Sequence, residues 1–429
     1  MRPTRRCLGL LAALLIPAAL WGEPALWTWL AAGLLAVLGY DFGRARQDVA
    51  LRVQREVAPS LSVNRQHRVL LHLQSSADRA VRLWVHDEAP DDCEVAGLPA
   101  WVSMAPDQEA AVAYEVTPTR RGEASFGDVV CVVVSPLGFW ERKQHSGSAQ
   151  VVRVYPDFAA IAGYLELLSD QRAVRVGIKK SQRRGEGLEF HQLREYRDGD
   201  TLRQIDWRAT ARRGELISRE YEEERDQRVL FLIDSGRRMR ARDASLSHFD
   251  HALNGMLLLA YVALRQGDSV GLKMFGADRR WIPPVRGVAG VNLLLNETYD
   301  VHSGWQQADY VGAAEELLVH ERKRALVMLM TNLREEDADL LPALRLLRRR
   351  HVVVVANLRE RVLDETLQTR PKDFDQALRL AATHDYLAER GMHQAECLRL
   401  ANAVLDCTPQ DLPAQVVNAY WQIKRSGEL

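Results

Sequence analysis

From residue 229 onward, short apolar runs alternate with stretches of helical period, and this alternation restricts the chain's fold more than any other feature. The runs are "VLFLID", "SVGLKMFG", "ALVMLMTN" and "HVVVVANL". Between them lie "FDHALNGMLLLAYVALRQG", "ADYVGAAEELLVHERK" and "EEDADLLPALRLLRRR", with apolar residues every three or four positions. Strands that are apolar throughout must be covered on both faces, and amphipathic helices are what cover them. The pattern predicts an α/β domain over 229–360 with a doubly wound, largely parallel sheet. The tail, 361–429, reads as helices. Ligands of such sheets bind beyond the carboxyl ends of the strands, which is where Asp234, Thr331 and Asn357 fall.

A chain of 429 residues exceeds one ordinary core and predicts two or three domains. Upstream, over 45–156, "RVLLHLQ", "AVRLWVH", "AAVAYEVT" and "GDVVCVVV" alternate or run β-rich between turn clusters such as "APDD" and "SPLG". Short strands at this spacing predict a small antiparallel β-sandwich, and no catalytic constellation is visible in it. The 57 basic and 57 acidic residues cancel, which argues against a protein that neutralises nucleic-acid phosphates.

Residues 1–41 differ from all this. "CLGLLAALLIPAALW" and "ALWTWLAAGLLAVLGY" are apolar and flank "GEP", with tryptophans at 21, 27 and 29. Each run falls a little short of the roughly 20 residues that span hydrocarbon, and tryptophans extend such segments into the interface. A two-helix membrane hairpin is the expectation. A signal peptide is the competing reading, against which stand the second apolar run and the lack of a small-residue cleavage site in "IPAALWGE". Basic flanks, "MRPTRR" and "GRAR", put both ends in the cytoplasm by the positive-inside rule, with the globular part below the inner membrane. The five scattered cysteines, Cys7, Cys93, Cys131, Cys397 and Cys407, read as reduced thiols in that compartment.

Between sandwich and sheet, 157–228 comprises a helix expected at "FAAIAGYLELLSDQRAV" and then a charged stretch. Residues 179–228 hold 13 Lys/Arg and 12 Asp/Glu, threaded with Phe190, Leu193, Tyr196, Ile205 and Trp207. Interleaved signs suit internal ion pairs rather than a nucleic-acid stripe. Two readings compete for Arg194, Glu195, Tyr196, Asp200, Arg203, Asp206, Trp207 and Arg212. In one, they form a buried ion-pair network anchored by Trp207; in the other, a partner-binding surface.

At the end of the first apolar run the sequence reads "DSGRRM". A strand-end aspartate suits a cation if oxygen ligands follow, and here the turn resembles the metal-ion-dependent adhesion site of von Willebrand factor A domains, whose first loop is D-x-S-x-S. Asp234 matches; Gly236 and Arg238 replace the serines, and Asn332, after Thr331, stands where an acid is common. Magnesium needs near-octahedral oxygen ligation, so these losses predict no bound metal. Arg238, or Arg237, reaching back towards Asp234 is one expectation; an ordinary exposed arginine is the other. Ser235 as a nucleophile with His248 or His251 as base lacks the G-x-S-x-G setting.

"GLEFHQLREYRDGDTLRQIDWRATARRGELISREYEEERDQRVLFLIDSGRRM" resembles the bacterial domain of unknown function 58 family, through Glu189, Phe190, Arg194, Glu195, Tyr196, Gly199, Asp200, Arg203, Ile205, Asp206, Trp207, Ala211 and Arg212. The resemblance implies a membrane-anchored, von Willebrand factor A-like protein. It would work with a MoxR-type AAA+ ATPase and other A-type proteins as a non-catalytic scaffold or accessory factor, without a cofactor. A metal-assisted hydrolase, or a divalent-dependent adhesion module, centred on Asp234 is the alternative.

Overall fold

The computed structural model describes residues 1–20, 24–47, 49–157, 189–196, 205–222, 227–334 and 337–428. The chain divides into two compact units, Met1–Tyr155 and Pro156–Leu429.

In the first unit, antiparallel sheets form where alternation is cleanest. Leu51–Glu56, His67–Ser75, Glu109–Pro118 and Cys93–Ala96 make a four-stranded sheet. Ala100–Met104, Val81–Asp87, Val129–Val134, Trp140–Ser146 and the two-residue strand Arg2–Pro3 make a five-stranded one. A third, smaller sheet is mixed: Gln150–Tyr155 pairs parallel with Ser60–Ser62 and antiparallel with Gly122–Phe126. Every second residue of Val81–Asp87 is buried, as a period of two demands. Arg55 of the four-stranded sheet grips Asp87 of the five-stranded one in a bidentate pair (2.8 and 2.5 Å), and Tyr114 adds its hydroxyl to the same carboxylate at 2.5 Å. Asp87 is 1% exposed, so these donors replace its hydration.

The two N-terminal apolar runs form helices Arg5–Leu20 and Pro24–Arg46. Both outer ends are tied to one loop. Thr4 donates its hydroxyl to Gly138 O at 2.7 Å, and buried Asp41 accepts from Ser135 Oγ, Leu137 N–H and Phe139 N–H. Leu8, Trp29, Leu30 and Leu35 are exposed. Among the described residues no helix is long and apolar enough to cross a membrane.

The second unit begins with an antiparallel pair, β1 (Glu189–Glu195) and β2 (Ile217–Glu222), around the short helix α1 (Trp207–Arg213). The helix expected at 158–174 lies outside the described residues. A six-stranded sheet follows: β3 (Arg228–Asp234), β4 (Ser269–Phe275), β5 (Trp281–Val285), β6 (Leu326–Thr331), β7 (Val352–Leu358) and β8 (Ala403–Cys407). Its order is β5-β4-β3-β6-β7-β8, and only the β4–β5 pairing is antiparallel. The region is thus mixed α/β with a mostly parallel sheet.

Because β3 is apolar on both faces, alternate residues enter different cores. Val229, Phe231 and Ile233 pack with α2 (His248–Arg265), α3 (Ala289–Thr298) and α8 (Leu412–Ser426). Leu230 and Leu232 pack with α4 (Tyr310–His320) and α5 (Leu340–Arg348), and with Cys397 of α7 (Phe374–Leu400). Helix α2 starts at a capping box: Ser247 Oγ accepts from Asp250 N–H while Asp250 accepts from Ser247 N–H. The tail opens with α6 (Arg361–Gln368) and α7 but corrects the expectation of helices alone over 361–429, since Ala403–Cys407 adds a parallel strand to β7 and α8 completes a core face. All five cysteines are free thiols.

Candidate functional site

The crossing from β3 to β4 on one side and β6 on the other opens the sheet's carboxyl edge at Asp234. Its carboxylate is fully buried. Oδ1 accepts the Gly236 N–H at 2.7 Å, and Oδ2 accepts the Thr331 hydroxyl at 2.8 Å. Tyr310 OH lies 2.8 Å from Thr331 Oγ1, extending the chain of hydroxyls into α4. Burial pushes the Asp234 carboxyl upward, against the pull of these donors and of the Arg238 charge. Burial beside Asp234 also raises Tyr310 well above its ordinary range.

Gly236 is fixed by space. A Cβ there would meet Gln306 O at 2.8 Å and Asp234 Oδ1 at 2.9 Å, closer than real contacts allow. Gly276, at φ +99°, faces it, and its own Cβ would lie 2.8 Å from Gly236 N. The serine found in the adhesion-site loop therefore has no room here. Ser235 is spent on the neighbouring loop, donating to Phe275 O at 2.8 Å and accepting from Asp278 N–H at 2.9 Å.

Arg238 is the arginine that turns inward; Arg237 is exposed. Its ion pair, however, is with Asp337, and both side chains are nearly buried, at 9% and 3% exposure. The expectation of an arm reaching back to Asp234 is corrected in its partner: Arg238 acts on Asp234 through its charge while Asp337 holds the guanidinium. Asp337 was hidden in "REEDAD", one acid among several on a polar loop. A divalent cation does not fit these residues. Gly236 offers no side-chain oxygen, Asp234 is already bonded on both oxygens, and a guanidinium occupies the turn. Among the described residues no three His, Cys, Asp or Glu side chains group so as to hold a metal ion.

Thr331 and Asn332, adjacent in sequence, go to different networks. Asn332 turns from Asp234 and donates to Glu360 Oε1 at 2.8 Å, while its Oδ1 accepts from Arg390 at 3.2 Å. Arg390, on α7 and 4% exposed, also donates to Leu333 O, Leu358 O and Asp406 Oδ1. One side chain thus joins the ends of β6, β7 and β8. Asn357 belongs here too, accepting from Leu333 N–H and donating to Asp406. His248 faces Asn332 at 3.4 Å, and burial lowers the pKa of both His248 and His251. No bond among the described residues joins either histidine to Ser235.

Loop 302–309 closes over the turn. Gly304 N–H reaches Ser235 O and Arg237 N–H reaches Gln306 O, each at 2.9 Å. This places Trp305 on the rim, 78% exposed, with the Arg240 guanidinium 3.4 Å from its ring centroid. Neither Trp305 nor Arg390 carries a sequence signal, one lying in an irregular loop and the other amid a helix charged on several sides.

In the signature segment, Asp206 caps α1, its Oδ1 accepting from Arg208 and Ala209 N–H at 3.0 Å each. Trp207 is 66% exposed and Arg212 is exposed, so Trp207 is not the anchor expected of it; among the described residues of the segment Ile205, Ile217 and Ser218 are buried. Glu195 is exposed and Tyr196 half-buried. Arg194 lies in β1, but its side chain is outside what is described, as are Asp200 and Arg203 altogether.

The sequence model of the family described as "Protein of unknown function DUF58" matches residues 192–389. "Uncharacterized protein YeaD" of Bacillus subtilis (strain 168) is 23% identical over 184 residues, covering 41% of this chain and 42% of that protein, so the chain spans under half of this relative. Among solved structures, an aerotolerance-related membrane protein from Bacteroides fragilis NCTC 9343 aligns with 45% of this chain and 97% of its own at 14% identity and a TM-score of 0.32. Proximal thread matrix protein 1 from the mussel byssus aligns with 48% and 47% at 11% identity and a TM-score of 0.32. Likeness at that level carries no argument about function. The match across 192–389 takes in part of the β1–β2 hairpin and most of the six-stranded sheet, and over this stretch, under half of its length, the chain is similar to the DUF58 family of proteins of unknown function.

Proposed function

We propose that the chain is a membrane-tethered scaffold that grips a protein partner without a metal ion. Its sheet is of the von Willebrand factor A type, on the grounds of the order β5-β4-β3-β6-β7-β8 with one antiparallel edge strand. The helical hairpin is the tether: its outer ends share the loop 135–141, which suits both lying on the cytoplasmic side, and its leucines are exposed.

The observation that carries the reading is the rim beside Asp234. Trp305 stands exposed under Arg240, next to a turn in which Arg238 is clamped by Asp337. Tryptophan and arginine dominate the residues that hold interfaces together, and the Arg240 guanidinium over the exposed Trp305 ring brings the two together at this rim. Exposed Trp207 and Arg212 favour a partner surface over an internal clamp in the signature segment as well. Family resemblance points to a MoxR-type AAA+ ATPase as the partner, with other A-type proteins in the same assembly.

The test is a binding titration between the detergent-solubilised full chain and the MoxR-type ATPase of the same genome. Trp305→Ala and Arg240→Glu are each expected to weaken binding by roughly 30-fold, the weight of an interface hot spot, and a chelator is expected to change nothing. Binding that is abolished by chelator and restored by magnesium, or that ignores both rim variants, overturns the reading.

A further inference from the structure

A second basic site lies in the first unit, at the foot of the helical hairpin. An open cavity of about 790 Å³ is lined by Arg2, Arg5, Arg6 and Arg82, with Trp84 and Trp101 at its side. Glu141 also lines it and is paired with Arg2 at 2.9 Å. Arg82 is fixed in place by donating to Ser135 O and Pro136 O. No carboxylate among the described residues pairs with Arg5 or Arg6. Four arginines thus line a space to which one acidic residue contributes. The two indoles lie tilted at 60°, 5.0 Å between centroids, and stay 42% and 47% exposed.

We propose that this cavity binds the phosphate-bearing headgroup of an anionic membrane lipid. Arginine forks match phosphate oxygens in bidentate fashion, and several of them around one cavity select an anion over a zwitterion. The cavity is of the size that encloses a small ligand. A free phosphate compound shares that chemistry, but placement favours the lipid. Arg5 and Arg6 lie in the first turn of the helix that continues into exposed Leu8 and Leu10, so the guanidinium groups sit where apolar surface begins. Tryptophans gather at the same depth of a bilayer, with the ring in the headgroup layer. The inference rests on the reading of the hairpin as a tether.

Flotation and native mass spectrometry of the full chain test it. The chain is mixed with vesicles of phosphatidylcholine alone, and of phosphatidylcholine and phosphatidylglycerol in equal parts. Retained lipids are then counted after detergent extraction, with glycerol phosphate and inorganic phosphate as soluble competitors. The wild type is expected to float with both vesicles and to retain phosphatidylglycerol preferentially. The pair Arg5→Gln and Arg6→Gln is expected to float equally well while losing that preference by about 25-fold, at about fivefold for each arginine near a charged bilayer surface; Arg82→Gln loses about fivefold. Arg52→Gln, outside the cavity, is the charge control. Three outcomes overturn the site: equal retention of both lipids, retention unchanged in the arginine variants, or displacement by inorganic phosphate as readily as by lipid. If the wild type floats with neither vesicle, the tether itself fails and the lipid site with it; flotation without lipid preference leaves the tether standing and removes only the site.

Discussion

Replacing Arg238 with serine isolates the claim that a guanidinium does the work of an ion at the head of the sheet. Arg238 and Asp337 are 9% and 3% exposed, so removing the arginine leaves a carboxylate buried without its counter-charge. Breaking such a pair costs about 3–5 kcal/mol, which for a unit of this size lowers its Tm by roughly 10 °C. The charge that helps keep Asp234 ionised is lost as well. With burial already raising that carboxyl, its folded pKa moves further up. A group whose folded pKa lies above its unfolded value stabilises the fold as pH falls, so the variant should regain part of its loss on acidification towards the unfolded carboxylate range. Asp234, Asp337, Thr331 and the new serine would also offer oxygens alone. Manganese or magnesium at ten times its Kd should then restore about 1.4 kcal/mol by mass action. Thermal melting of the second unit's transition, with and without the ions and across pH, reads all three effects. A wild type stabilised by the same ions, or an Arg238→Ser protein that melts as the wild type does, refutes the substitution of arginine for metal.

Three more outcomes follow from the geometry. Gly236→Ser should destabilise the unit by about 1–3 kcal/mol through overpacking against Gln306 O, seen as a lower urea midpoint with no gain in ion dependence. Lys424 and Tyr420 both donate to Asp268 Oδ2 (2.7 and 2.5 Å) in a fully buried cluster; Lys424→Met alone should lose about 3–5 kcal/mol, and its combination with Asp268→Asn much less, as a double-mutant cycle will show. Asp206→Ala should cost about 1 kcal/mol by removing the α1 cap, whereas Trp207→Ala, at an exposed position, should leave the melting curve in place.

The sheet was legible because strands buried on both faces cannot hide their composition: β3, β4, β6 and β7 are nearly unbroken apolar runs. β5 escaped because "WIPPV" carries two prolines, which an interior strand excludes but an edge strand pairing on one side tolerates. β8 escaped because "AVLDC" is short, half-buried, and follows a helix of 27 residues whose pattern invites continuation. Asp234 declared itself as a carboxylate ending an apolar strand. The residues that build the crest around it did not, since Asp337, Tyr310 and Arg390 arrive from a loop and two helices whose local sequence resembles ordinary solvated surface. Asn332 could be placed at the right height but not on the right side. Adjacent residues at a strand end point opposite ways, so Thr331 met the aspartate and Asn332 met Arg390.

Arg390 has a consequence for the order in which the molecule is made. The loops after β6 and β7 are held by a side chain that emerges from the ribosome some thirty residues after β7, and Asp406, one of its acceptors, emerges later still. The crest of the sheet therefore stays unlatched throughout most of translation, while the N-terminal unit is already free to fold. The loops above β6 and β7 thus take their final positions only after the strands beneath them have been made, and the timing is set by residue 390.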